Sequence, residues 1–177
     1  QPPSVMGRRN AEHWTGELYM RRLSPYVTRE LVRTPITANG VTWLFVLTGW
    51  LAAAALLVPG VWGAALAVLL AQLQMLLDCV DGEVARWRRT SSPVGVFLDR
   101  LGHYTTEAGV ALALGVRADG GPGSIGGWTT LGALLALLIV LNKALNDMVH
   151  VVRAVAGLER VADTAAVSAP RGGVLAA

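Results

Sequence analysis

The chain has 177 residues, of which 53% are hydrophobic and only 15% charged, with a formal net charge of +3. This balance lies outside that of soluble globular domains, and the arginines fall beside apolar segments instead of on one soluble face, which argues against a nucleic-acid partner. The single cysteine, Cys79, excludes a disulfide framework and a cysteine-based zinc site, and on an apolar helix it reads as packing.

The chain opens at Gln1 without the charged start, apolar core and small-residue cleavage site of a signal peptide, and it reads as a cut end. Between residues 12 and 34, Trp14, Leu18, Leu23, Val27 and Leu31 recur at helical spacing, with Arg21, Arg22, Arg29 and Arg33 between them. This predicts an amphipathic helix lying on a membrane surface, bent at Pro25, within a juxtamembrane segment covering residues 1–34. The alternative is an ordinary surface helix of a soluble domain.

Residues 36–58 carry no charge and are long enough to cross a hydrocarbon core of about 30 Å. A turn at Pro59 and Gly60 leads to a second span over 61–77 that runs on into an acidic stretch. A third span, 94–116, escapes a hydropathy criterion because Asp99, Arg100, His103 and Glu107 interrupt it. After a flexible loop, "RADGGPGSIGG", a fourth span runs from Trp128 to Val149 and ends among Asn142, Lys143, Asn146, Asp147 and His150. That polar end reads either as a phosphate-binding or site-closing group, or as an interfacial helix end. The tail over 156–177 is too polar to cross again, and neither His13 nor the tryptophans require a function.

The predicted fold is therefore all-α, a polytopic integral membrane helical bundle of four visible spans with an N-terminal amphipathic interfacial helix. Arg8, Arg9, Arg21, Arg22, Arg29, Arg33, Arg86, Arg88, Arg89, Lys143, Arg153 and Arg160 fall on one side of that topology, and Arg117 alone lies clearly on the other. The asymmetry predicts a cytoplasmic N-terminus and an acidic cluster that opens toward the cytosol.

That cluster lies in "LLDCVDGEVARWRRTSSPVGVFLDRLGH", residues 76–103. Helical spacing sets Asp78, Asp81, Gly82 and Ala85 on one stripe and Gly95, Asp99, His103 and Glu107 on another, with a short turn between them. Each ionised side chain inside a span costs about 2.5–3.5 kcal/mol on insertion scales, so three carboxylates together call for compensating positive charge. Arg86 and Arg100 are too few and point differently, whereas Mg²⁺ or Mn²⁺ suits clustered carboxylate oxygens. Gly82 and Ala85 leave room either for a ligand close to the backbone or for tight helix packing.

Read in order, Asp78, two residues, Asp81-Gly82, two residues, Ala85-Arg86, eight residues, Gly95, three residues, Asp99, three residues and His103 closely resemble the signature of the CDP-alcohol phosphotransferase family. The signature is D-x2-D-G-x2-A-R, a spacer, then G-x3-D-x3-D, and seven of its eight specified positions match here. The resemblance takes in the "TPITANGVT" entry to the first span, reaches over roughly residues 20–155, and sets a membrane domain at 35–155. It implies a six-helix membrane fold, usually dimeric, in which a pair of divalent metal ions held by aspartates binds the diphosphate of a CDP-linked alcohol. An acceptor hydroxyl then attacks the β-phosphorus and CMP leaves.

By that resemblance Asp78, Asp81, Asp99 and His103 are metal ligands, and Asp78, Gly82, Ala85 and Arg86 meet the nucleotide. Asp99 and His103 are the catalytic pair. His103 stands where the family has a carboxylate, and three readings follow: a working base, altered metal or substrate preference, or a dead enzyme. Glu107 either restores a carboxylate to the site or pairs with an Arg or Lys of a neighbouring span.

Only four of six family helices are visible, so the others, which help form the acceptor pocket in the family, are truncated or absent. The implied function is Mg²⁺- or Mn²⁺-dependent transfer of a phospho-alcohol group from a CDP-alcohol to an acceptor such as inositol phosphate or glycerol phosphate. This would serve phospholipid or inositol-phosphate synthesis at the cell membrane, in a homodimer surrounded by membrane lipid. The alternatives are a catalytically inactive relative acting as a membrane anchor, and an ion transporter. A transporter would want its acids near the bilayer midplane, and these sit at one end.

Overall fold

The computed structural model describes residues 20–158. Among these, all regular structure is helical: α1 (Arg21–Leu31), α2 (Ala38–Leu56), α3 (Gly60–Arg88), α4 (Pro93–Ala118) and α5 (Gly127–Val155). The expectations for Arg8, Arg9, His13, Trp14, Leu18, Arg160, the start at Gln1 and the tail after Leu158 fall outside the described residues.

Three helices, α2, α3 and α5, are long and apolar enough to cross a membrane. The expected third span is α4, whose 26 residues carry the interrupting charges and pack between α2 and α5. The predicted boundaries fell short at two ends: α3 continues unbroken to Arg88 and α5 to Val155. At 1.5 Å per residue the 29 residues of α3 rise about 43 Å, more than a hydrocarbon core of about 30 Å, so its acidic end lies where the apolar stretch has run out. α1 is one continuous helix through Pro25.

α2 is the central helix, flanked by α3 and α4, and α5 covers the far side of α4. The close approaches use small residues. A Cβ on Gly132 of α5 would stand 3.0 Å from the Gly115 Cα of α4, and one on Gly49 of α2 would meet Gln74 Nε2 at 2.6 Å. Outside these seams the bundle is apolar to its surroundings: Trp43, Leu47, Trp62, Leu69, Leu134 and Leu138 are exposed, and Gly132 is the one buried residue of α5. Side chains of this kind turned outward along whole helices make a lipid-facing surface.

α1 docks on the acidic end of α3. Its inner face is Ser24, Val27, Thr28 and Leu31, positions that share one side of a helix, and Val27 and Leu31 pack on the Val41, Val80 and Val84 cluster. The inner face of this amphipathic helix thus carries two hydroxyls as well as apolar groups. The link from α1 to α2 is held by Arg88, which donates to the carbonyl oxygens of Leu31, Val32, Thr34 and Ile36 at 3.1, 3.1, 2.6 and 2.5 Å. At the opposite end Arg117 does the same for Leu56, Val58 and Gly60 at 2.9, 2.7 and 2.6 Å. Both guanidinium groups satisfy carbonyls that helix ends and turns leave without partners.

Candidate functional site

Two local devices aim the signature residues. α3 ends at Arg88 with Arg89 in the left-handed conformation (φ 55°), which closes the helix, and Ser92 then caps α4 by accepting from the Gly95 amide at 3.1 Å. Pro93 fills the first turn of α4, where its missing N–H costs nothing. The chain reverses within four residues, and the acidic end of α3 is set beside the start of α4. Both helices close chiefly on α2, and polar side chains meet in the gap between them.

In that gap Asp78 of α3 meets Asp99 and His103 of α4. One ligand atom from each lies within 4.8 Å of the others, a group able to hold a metal ion. His103 Nε2 stands 3.2 Å from Asp78 Oδ1 and 3.6 Å from Asp99 Oδ1. Its ring packs against Phe45 with centroids 5.0 Å apart. Two carboxylates and an imidazole match the donor types that Mn²⁺ and Zn²⁺ accept; Mg²⁺ favours the oxygens.

Asp81, the third aspartate, takes a different course. It is 8% exposed, and its Oδ2 accepts the Thr42 hydroxyl of α2 at 2.7 Å. Metal-holding carboxylates are commonly oriented by such a hydrogen bond. Ala85 packs on the Val41, Val80 and Val84 cluster. Arg86 folds back over Gly82, where an added Cβ would meet its Nη1 at 3.0 Å. At Gly95 an added Cβ would come within 3.0 Å of Asn39 Oδ1, so the glycine admits the start of α2.

A second polar layer continues from the site toward α5. Glu107 Oε1 lies 3.2 Å from His103 Nδ1 and 2.9 Å from Lys143 Nζ. Asp147 pairs with Arg100 and accepts the Tyr104 hydroxyl at 2.9 Å. Glu107 thus pairs with a lysine of the neighbouring helix while also reaching His103, and Lys143 and Asp147 tie α5 to α4. His150 has a buried Nδ1 with no hydrogen-bond partner among the described residues.

Thr42 enters the sequence reading only as part of the "TPITANGVT" stretch, and Glu83 is not singled out. Glu83 is 6% exposed and accepts from Ser24 and Thr28 of α1, each at 2.6 Å. The available signal was the pair of hydroxyls one turn apart on an otherwise apolar face of α1, which asks for a polar partner.

Comparison with known proteins agrees with the geometry. A family model described as CDP-alcohol phosphatidyltransferase matches residues 35–170. No curated protein matches the chain.

Proposed function

The chain belongs to the CDP-alcohol phosphatidyltransferase family, and we propose that it is a metal-dependent phosphotransferase moving a phospho-alcohol group from a CDP-alcohol to an acceptor hydroxyl. The observation that carries this reading is the meeting of Asp78, Asp99 and His103 across the gap between α3 and α4. Asp78, Asp81, Asp99 and His103 are the proposed holders of Mg²⁺ or Mn²⁺, with Asp81 oriented by Thr42. Ions held by these residues would supply positive charge to neutralise a diphosphate.

The protein's own side chains do the rest. Gly82 and Arg86 flank Asp78 and Asp81 on α3 and are proposed to receive the nucleotide, with the Arg86 guanidinium on its phosphate. In the reaction the acceptor oxygen bonds to the β-phosphorus, and the bond from that phosphorus to the bridging oxygen breaks. CMP leaves with the bridging oxygen, and the acceptor's proton passes to the Asp99 oxygen that a bound metal would leave free or, if His103 were not a ligand, to its Nε2. The acceptor is read as a phosphorylated polyol, inositol phosphate or glycerol phosphate. The concentration of arginine at the site end, against Arg117 at the other, supports a cytoplasmic site and N-terminus in a cell membrane. The family resemblance alone suggests a homodimer.

One observation favours a second reading, a non-catalytic relative serving as a membrane anchor: the site has an imidazole where the signature has a carboxylate. The two are separated by binding of CMP and of a CDP-alcohol to detergent-solubilised protein with Mg²⁺, Mn²⁺ or chelator. The transferase is expected to bind only with metal, to release CMP on addition of acceptor, and to lose binding in Asp81→Ala. Binding absent with every metal would leave the anchor.

A further inference from the structure

Glu107 lies beyond the family signature, one helical turn after His103, yet its Oε1 reaches His103 Nδ1 at 3.2 Å. The other ring nitrogen faces the two aspartates, at 3.2 Å from Asp78 and 3.6 Å from Asp99. A neutral imidazole has one N–H and one lone pair, and both ring nitrogens stand 3.2 Å from a carboxylate oxygen. It is a cation held with Asp78 and Asp99 that would require the lone pair at Nε2 and leave the N–H at Nδ1 for Glu107. Lys143 Nζ, 2.9 Å from the same Oε1, balances the charge of the carboxylate, and Phe45 packs against the ring.

We propose that Glu107 is a positioning residue that accepts the Nδ1–H of His103 and so turns the Nε2 lone pair toward Asp78 and Asp99. A carboxylate in this relation to a metal-ligating histidine fixes the tautomer and ring orientation and raises its basicity. Where the signature has a single carboxylate, this chain then uses a two-residue unit, His103 with Glu107, reaching the site through nitrogen. The inference rests on the metal-holding reading above. Its rival is that Glu107 only fastens α4 to α5 through Lys143.

The test is Mn²⁺ binding to the purified full chain in detergent, followed by EPR of the free ion, in wild type, Glu107→Ala, Glu107→Gln and Lys143→Met. It is paired with ¹⁵N imidazole spectra of the Mg²⁺-saturated proteins, in which His103→Asn identifies the His103 signals. Glu107→Ala is expected to weaken Mn²⁺ binding about 10–100-fold. Glu107→Gln, whose amide carbonyl still accepts the Nδ1–H, recovers most of that loss, and Lys143→Met loses less than Glu107→Ala. The spectra are expected to show Nδ1 protonated and Nε2 bare in wild type and in Glu107→Gln. Equal affinities for wild type and Glu107→Ala overturn the inference alone, as does a Lys143→Met loss as large as that of Glu107→Ala. A bare Nδ1 in wild type or in Glu107→Gln does so too, and that readout serves if Glu107→Ala does not fold. Absence of Mn²⁺ binding in wild type overturns the metal-holding reading together with the inference.

Discussion

Glu83 and Asp81 lie two positions apart on α3 and reach in different directions, one to the hydroxyls of Ser24 and Thr28 on α1, the other to Thr42 on α2. Replacing Glu83 by Ala strands two fully buried hydroxyls, and an unsatisfied buried polar group costs about 1–3 kcal/mol. Glu83→Ala is expected to speed hydrogen exchange across α1 while leaving the amides of α2 and α4 protected; unchanged protection of α1 would show that apolar contacts alone hold it. At this scale the sequence was legible for residues whose spacing is local. Asp78, Asp99 and His103 meet as the two stripes predicted. The partners of Asp81 and Glu83 lie 39 and more than 50 residues away along the chain, and no periodicity points to them. Ala85, on the predicted stripe, packs on the core cluster, because a helical stripe has width and its far edge meets a different neighbour.

Helix ends decide the next scale. Asp119, just past α4, receives the Gly126 and Thr129 amides at 2.8 and 2.7 Å and the Thr129 hydroxyl at 2.7 Å, so a carboxylate from one helix caps the start of the next. The hydroxyl and amide of Thr129, followed by the other amides, hold the Asp119 carboxyl below the usual carboxylate range. A group depressed on folding contributes stability above its unfolded value and loses it as pH falls through the folded one. Acid is therefore expected to free the first turn of α5 only below the usual carboxylate range. Asp119→Ala is expected to free it at every pH, seen as faster amide exchange at Trp128 and Thr129. Arg117→Met removes the donors to three turn carbonyls, and charge-assisted hydrogen bonds are each worth about 1.5–3 kcal/mol. A lower thermal midpoint in detergent is the expected result. The helices themselves were readable from apolar length, and α4 from its apolar far end despite its charges. Their clasps were not, since an arginine that caps a turn reads in sequence like one that faces water or lipid head groups.

Taken as a whole, the molecule turns its apolar surface outward and joins its helices through glycine seams and short polar ties. A variant retaining only Trp50, which is 49% exposed midway along α2, is expected to be quenched by lipids brominated on their acyl chains and spared by aqueous iodide. The reverse pattern would deny the membrane placement. Composition and hydropathy made this organisation visible early, because lipid-facing surface needs only to be apolar and has no partner to specify. One short segment escapes that freedom. Val80, Asp81, Glu83 and Val84 are all buried, although most of α3 before them is open on at least one side, and Gly82 between them lies under Arg86. An ordinary amphipathic helix resists change only on every third or fourth position. Here tolerance should vanish for five consecutive residues, so a saturation mutagenesis profile of α3 would show a solid block at 80–84 after a permissive run, marking where a lipid-bathed rod becomes a crowded junction.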